Sequence, residues 1–147
     1  MKIIFVCTGN TCRSPMAEVI ANAVFKNSGV EAEAESRGIF ARDGEKASDY
    51  AMLAVRNYGL SLDGHSAKQL TQKDIEEADM LLTMTVEHKK MLEKMCPPEK
   101  LFTLKGFCSG TDGDIADPFG QSPAVYLECA EEIIDCINKL AEHLKSR

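Results

Sequence analysis

The sequence has no long apolar run, no excess of basic charge, no low-complexity tract and no internal repeat. A membrane-spanning helix needs roughly 20 consecutive apolar residues, and no stretch approaches that. The apolar run after Met1-Lys2 is cut off by Cys7-Thr8-Gly9-Asn10, too early for a secretory signal. Lys plus Arg number 17 against 23 Asp plus Glu, a net charge of −6. A chain that binds nucleic acid broadly is usually basic, so neither nucleic acid nor membrane is expected as a partner. The three histidines, His65, His88 and His143, lack zinc-ligand spacing. No metal is expected, and they read as surface or packing residues. What is present is globular: 44% hydrophobic and 27% charged residues argue against disorder. A length of 147 residues suits a single domain, 1–147, with a sizeable core. Six cysteines in such a chain without a signal read as reduced thiols of a cytoplasmic protein, not a disulfide scaffold.

Short apolar runs alternate with helical periodicity. Ile3-Ile4-Phe5-Val6 is continuous and largely β-branched, as suits a strand buried on both faces. Met16, Val19, Ile20, Ala23 and Val24 then repeat at helical spacing. Ser14 is the expected N-cap, Pro15 the first helical residue and Gly29 the stop. Residues 31–36 read as a second, edge-proximal strand, and 47–58 as a helix stopped by Gly59. Thr71-Gln72-Lys73-Asp74 has the form of a capping box opening a short helix. Residues 80–84 predict a third strand, and Thr85 a cap for a helix to about Met95 that Pro97-Pro98 closes. Residues 101–104 predict a fourth strand, followed by a Gly- and Asp-rich loop to about Ser122. Tyr126, Cys129, Ala130, Ile133, Ile137, Leu140, Ala141 and Leu144 mark one face of a final helix. The order implies an α/β domain with a parallel sheet covered by helices on both faces. Ligands of such sheets sit beyond the carboxyl ends of the strands, where the loops after Val6 and Leu104 look chemical.

The first of these loops is Cys7-Thr8-Gly9-Asn10-Thr11-Cys12-Arg13-Ser14. A strand turning here into a helix leaves backbone N–H groups convergent and unpaired, and the helix N-terminus adds partial positive charge. Such a nest binds anions. Gly9 permits a positive φ and Asn10 tolerates one. Arg13 offers a planar fork for two phosphate oxygens. Cys7 sits at the strand end, where the dipole, the N–H groups and Arg13 favour a thiolate, and Ser14 can donate to its sulfur. A cysteine alone would read as a small core hydrophobe. Together with Arg-Ser six residues on, it reads as a nucleophile facing a bound phosphate.

The run from Cys7 through Pro15-Met16-Ala17-Glu18 resembles the signature of low-molecular-weight protein tyrosine phosphatases, and the resemblance covers essentially the whole chain. It implies a four-stranded parallel sheet flanked by helices, a phosphocysteine intermediate on Cys7, an Arg13 that holds the phosphoryl group, and no cofactor. Thr8, Gly9, Asn10, Thr11, Cys12 and Ser14 complete the phosphate loop, with Asn10 and Ser14 as supporting hydrogen-bond residues. The mechanism needs a general acid. The family's Asp-Pro motif matches Asp117-Pro118-Phe119-Gly120, leaving Asp112 and Asp114 as solvated loop carboxylates. Oxidation joining Cys7 to Cys12 is a further property the family implies.

Thr11 stands where tyrosine-specific members usually carry Ile or Leu. Thr11 and Phe119-Gly120 are similar to the protein arginine phosphatase branch, with Phe119 and Phe40 flanking the substrate. The expected substrates are therefore proteins carrying phosphoarginine, with phosphotyrosine as the alternative, acted on by a monomer. Arsenate reductases share the first loop but need two closely spaced redox cysteines after the third strand, and residues 80–95 hold none. Cys129 and Cys136 are two helical turns apart, roughly 10 Å, too far for a disulfide. A non-catalytic phosphate-binding module would not need both Cys7 and Asp117. Cys129 reads as core, and Cys96 and Cys108 as loop thiols without a partner.

Overall fold

The first apolar run forms β1 (Lys2–Cys7), buried from Ile3 to Cys7. It pairs in parallel with β2 (Glu33–Gly38) on one side and β3 (Met80–Thr83) on the other. β4 (Leu101–Thr103) completes a parallel sheet of order β2-β1-β3-β4. This is a computed structural model, and it describes residues 1–145.

Alternation along β1 divides the core in two. Ile3, Phe5 and Cys7 face α1 (Arg13–Ser28), α2 (Asp49–Arg56), α5 (Leu104–Ser109) and α6 (Pro123–Lys145). Ile4 and Val6 face α3 (Gln72–Glu77) and α4 (Val86–Leu92). A sheet covered on both faces explains why its inner strands are continuously apolar. The last helix buries the predicted stripe, except that Leu144 is only partly covered. Ala17 and Ala21 are fully buried on α1, within the same core as α6. The register pairs Cys7 with Gly38 and Val6 with Thr83, so three strands end level with one another at the edge that carries the loop after β1. No helix among the described residues is long and apolar enough to cross a membrane.

Several boundaries differ from the sequence reading for identifiable reasons. The second strand is an edge strand as expected but runs two residues later, to Gly38. Ser48 caps α2 by accepting from the Ala51 N–H, so that helix starts later than residue 47. The expected Ser14 cap is not formed: α1 begins at Arg13, and Cys12 at the cap position makes no side-chain bond to the helix N-terminus. The Ser14 hydroxyl is used elsewhere. α4 ends at Leu92, and turns lead to a single 3-10 turn, Pro98–Lys100. The segment after Leu104 is not loop throughout, because Thr103 accepts from the Gly106 N–H and caps α5. Gly106 is required by packing: a Cβ there would run into the Asp112 carboxylate and the Thr103 hydroxyl.

Candidate active site

The turn between β1 and α1 depends on Asn10. It is the one non-glycine with positive φ (59°) among the described residues, and it is fully buried. Gly9, expected to take that conformation, does not. A Cβ there would make only an ordinary contact with the Thr11 hydroxyl at 3.8 Å, so packing within the chain does not require glycine at this position. Asn10 Nδ2 donates to Ser14 Oγ and Ser36 Oγ, both at 2.9 Å. Its Oδ1 accepts the Lys68 N–H at 2.9 Å, and its carbonyl accepts from His65 Nε2 at 2.7 Å. Ser36 in turn donates to Glu18. The loop lies directly on the end of β2: a Cβ on Gly38 would stand 2.7 Å from the Thr8 carbonyl oxygen and 3.0 Å from Asn10 N. Sequence reasoning missed Ser36, Gly38 and His65. Ser36 and Gly38 offered only small size toward the end of a strand, and His65 only a lone polar residue in a loop, signals that many chains share.

Cys7 Sγ lies 2.8 Å from Ser14 Oγ. Because Asn10 donates into that oxygen, the Ser14 proton has two acceptors, the sulfur at 2.8 Å and the more distant Arg37 carbonyl at 3.4 Å, and the sulfur is the nearer. Burial pushes the Cys7 thiol up. The Ser14 hydroxyl, the Arg13 charge and the N–H groups of Ser14 and Asn10 pull it down without overcoming burial. The net direction is upward, contrary to the expected thiolate preference: the hydrogen bonds and charge reduce a desolvation cost and do not abolish it. The N-terminus of α1 acts in the same sense as they do.

Arg13 is buried, and its Nη1 donates to the Ile115 carbonyl at 2.8 Å. Its Nη2 stands 3.6 Å from Asp117 Oδ2, and the Asp117 side chain is half exposed. The segment before Asp117 is pinned to the start of α4. Ile115 N–H bonds the Met84 carbonyl, and Asp114 accepts the Val86 N–H at 2.8 Å. Asp112 accepts from Thr103 Oγ1 and Lys89 Nζ, both at 3.0 Å. Asp112 and Asp114 are therefore anchors of this loop, not solvated bystanders.

His88 is a second anchor that the sequence did not disclose. It is buried on α4 with Nε2 2.9 Å from Thr8 Oγ1, and its Nδ1 has no hydrogen-bond partner. Burial, reinforced by the Arg13 charge and opposed by Asp114 and Asp117, pushes its pKa down to about 4. The neutral form of His88 is therefore the favoured one beside the loop after β1.

One cavity of about 330 Å³ brings together Cys7, Thr8, Gly9, Thr11, Cys12, Arg13, Phe40, Asp117 and Phe119. Phe40 and Phe119 are 69% and 72% exposed, which excludes core packing for Phe40 and makes both available as walls. Arg42 and Glu45 also line the cavity and were not foreseen. Asn10 and Ser14 sit behind the loop. The Cys12 thiol stands 3.4 Å from Ser48 Oγ and 3.6 Å from the Tyr126 hydroxyl. Cys129 is core, as expected; Cys96 lies in a loop, as expected, but is buried there, and Cys108 is a buried thiol on α5, not a loop one. No group of three His, Cys, Asp or Glu side chains among the described residues is placed to hold a metal ion.

Residues 2–147 match the family model "Low molecular weight phosphotyrosine protein phosphatase". The chain belongs to that family. A protein-arginine-phosphatase of Geobacillus stearothermophilus is 43% identical over 148 residues, spanning 99% of this chain and 97% of the relative. The low molecular weight protein-tyrosine-phosphatase PtpB of Staphylococcus aureus is 38% identical over 143 residues, 97% of this chain and 98% of the relative. Among solved structures, the YwlE arginine phosphatase, as a mutant with a phosphorylated active-site serine, superposes with a TM-score of 0.94. It is 38% identical, over 99% of this chain and 96% of that one.

Two outcomes follow from this geometry. Ser14→Ala removes a hydrogen bond to the sulfur and should move the midpoint of Cys7 alkylation by iodoacetamide up by about one pH unit; an unmoved midpoint would mean that Ser14 does not stabilise the thiolate. His88 has a folded pKa below its unfolded one, so below about pH 6.5 the unfolded chain binds the extra proton. Stability should therefore fall with pH between about 6.5 and 4, by of order 3 kcal/mol in total. Denaturant titrations should show a shallower fall for His88→Gln, and an identical slope would contradict the assignment.

Proposed function

We propose that the chain is a protein phosphatase that hydrolyses phosphoarginine, with Cys7, Arg13 and Asp117 as its catalytic residues. The observation that carries the reading is the single cavity where the Cys7 sulfur, the Arg13 guanidinium and the Asp117 carboxylate meet beside Thr11. The phosphoryl group of the substrate sits in the loop of residues 8–13, its oxygens held by backbone N–H groups and by Arg13. The Cys7 thiolate attacks phosphorus from the side opposite the leaving nitrogen. The S–P bond forms as the P–N bond breaks. Asp117, in its acid form, gives its proton to the departing guanidine nitrogen, whose strong basicity makes protonation obligatory. Asp117, now a carboxylate, takes a proton from water as that water attacks the phosphocysteine, releasing phosphate and restoring the Cys7 thiolate. Ser14 stabilises the thiolate in both steps as nucleophile and as leaving group. Stabilisation of the transferring group by positioning and fixed charge is the main catalytic requirement of phosphoryl transfer.

Thr11 assigns the substrate. Its short polar side chain lines the cavity and suits a planar, hydrogen-bonding guanidinium better than a branched alkyl wall would. The Glu45 and Asp117 carboxylates in the same cavity favour a cationic group, and Phe40 and Phe119 supply flat faces for it to stack on. The Geobacillus relative's name accords with this reading. Phosphotyrosine is the second reading, favoured by the same two aromatic walls and by the Staphylococcus relative. Arsenate reduction lacks its chemistry here: Cys7 and Cys12 are the only thiols lining the cavity among the described residues. The working form proposed is a cytoplasmic monomer, in a compartment that keeps Cys7 reduced.

The test is hydrolysis of phosphoarginine and phosphotyrosine peptides side by side. Wild type should prefer phosphoarginine. Thr11→Ile should lose at least about tenfold of that preference in kcat/KM, roughly the 1.4 kcal/mol that one wall contact supplies. Equal preference in both enzymes would defeat the substrate assignment while leaving the phosphatase chemistry standing.

A further inference from the structure

Outside the active site, two cysteines with no role in the chemistry are brought together by the packing of α5 on α6. Cys108 is buried on α5, and Cys136 is partly exposed on α6. The Cys108 thiol donates to the Cys136 carbonyl at 2.9 Å, which sets its sulfur against the residue that carries the second thiol, and the two side chains interact. This juxtaposition is not readable from sequence, where the two stand 28 residues apart. It also differs from the spacing of Cys129 and Cys136, which share α6 two turns apart and cannot be bridged without unwinding it.

The surroundings give the two thiols unlike characters. The Cys108 contact holds the Cys136 thiol below its ordinary range, with Lys105 and Lys139 acting in the same sense and burial and Glu132 opposing. Cys108 is pushed up by the same contact and by burial. The pair thus has an accessible thiol with thiolate character and a protonated neighbour behind it, the arrangement of an oxidisable cysteine and its resolving partner.

We propose that Cys136 and Cys108 form a second redox dithiol, oxidised by hydroperoxides to a disulfide that ties α5 to α6. The Cys136 thiolate attacks the peroxide O–O bond, becomes a sulfenic acid and releases hydroxide (or an alkoxide), so that sulfur is oxidised by two electrons and the peroxide reduced. The Cys108 sulfur then attacks the sulfenic sulfur. The S–S bond forms, the S–O bond breaks, and the Cys108 proton leaves with the departing oxygen as water. The product closes covalently the stretch from residue 108 to 136, which contains Asp117. The site is independent of Cys7 and Cys12, and its existence does not rest on the substrate assignment.

The full chain is treated with hydrogen peroxide, remaining thiols are blocked, and the protein is cut by a glutamate-specific protease without reduction. Glu128, Glu131 and Glu132 place Cys108, Cys129 and Cys136 on separate peptides. A Cys108–Cys136 cross-linked pair is expected, reversed by dithiothreitol and absent from Cys136→Ser. It should form equally in Cys7→Ser, which cannot form a Cys7–Cys12 pair. In Cys108→Ser the sulfenic acid has no resolving partner, so dimedone should label Cys136 at least about tenfold faster than Cys96. A cross-link confined to Cys7 and Cys12, or a Cys136 oxidised no faster than Cys96, would overturn the proposal.

Discussion

A single strained residue holds the phosphate loop in shape. Asn10 takes a left-handed backbone conformation that costs a non-glycine residue about 1–2 kcal/mol, and it does so completely buried. Four hydrogen bonds offset that cost, at about 1 kcal/mol each net: two donated by its amide, one received by its amide oxygen and one by its carbonyl. Their partners come from α1, β2 and the stretch between α2 and α3. The conformation therefore exists only in the assembled fold. Once it exists, Cys7, Ser14 and Arg13 have no freedom left. The Ser14 hydroxyl meets the sulfur directly while accepting from the Asn10 amide, and Gly38 lets β2 support the turn from beneath.

This arrangement also explains how a chain with net charge −6 can take an anionic group. The attraction is local, made from one buried guanidinium, one helix end and a ring of N–H groups. Neighbouring groups are kept from interfering. His88 stays neutral, Asp112 and Asp114 are engaged with α4 and its flanks, and Asp117 alone of the three loop carboxylates reaches the cavity. Burial works against the thiolate, so the site is a balance. Desolvation raises the energy of the charged sulfur, which makes it a stronger nucleophile, and the hydrogen bonds keep that cost within reach.

Much of this was legible in the sequence because it rests on local rules. The continuous apolar β1, the Thr71 capping box and the apolar stripe of α6 each follow from residue pattern and turn chemistry. The cysteine–arginine loop singled out Cys7, Arg13 and Ser14 and the Asp-Pro pair singled out Asp117, and the fold brings Cys7, Arg13 and Asp117 to one cavity with Ser14 against the sulfur. What was not legible depends on contacts between distant segments. α5 looked like loop because Gly106, which reads as a breaker, is there to admit Asp112. His65 and His88 read only as surface or packing residues because their partners, Asn10 and Thr8, are 55 and 80 positions away. Ser14 looked like a helix cap because serine before proline usually is one. Here the tertiary demand of the sulfur overrides the local preference.

The central claim is that the constrained turn makes the Cys7 sulfur the acceptor of the phosphoryl group. Rapid mixing with a phosphorylated peptide, quenching in alkaline denaturant within a turnover and mapping the adduct by mass spectrometry tests it most directly. The account predicts a phosphoryl group on Cys7 that appears with the dephosphorylated peptide and decays at the rate of phosphate release. Full turnover with no adduct at Cys7, or with an adduct on any other residue, would contradict it.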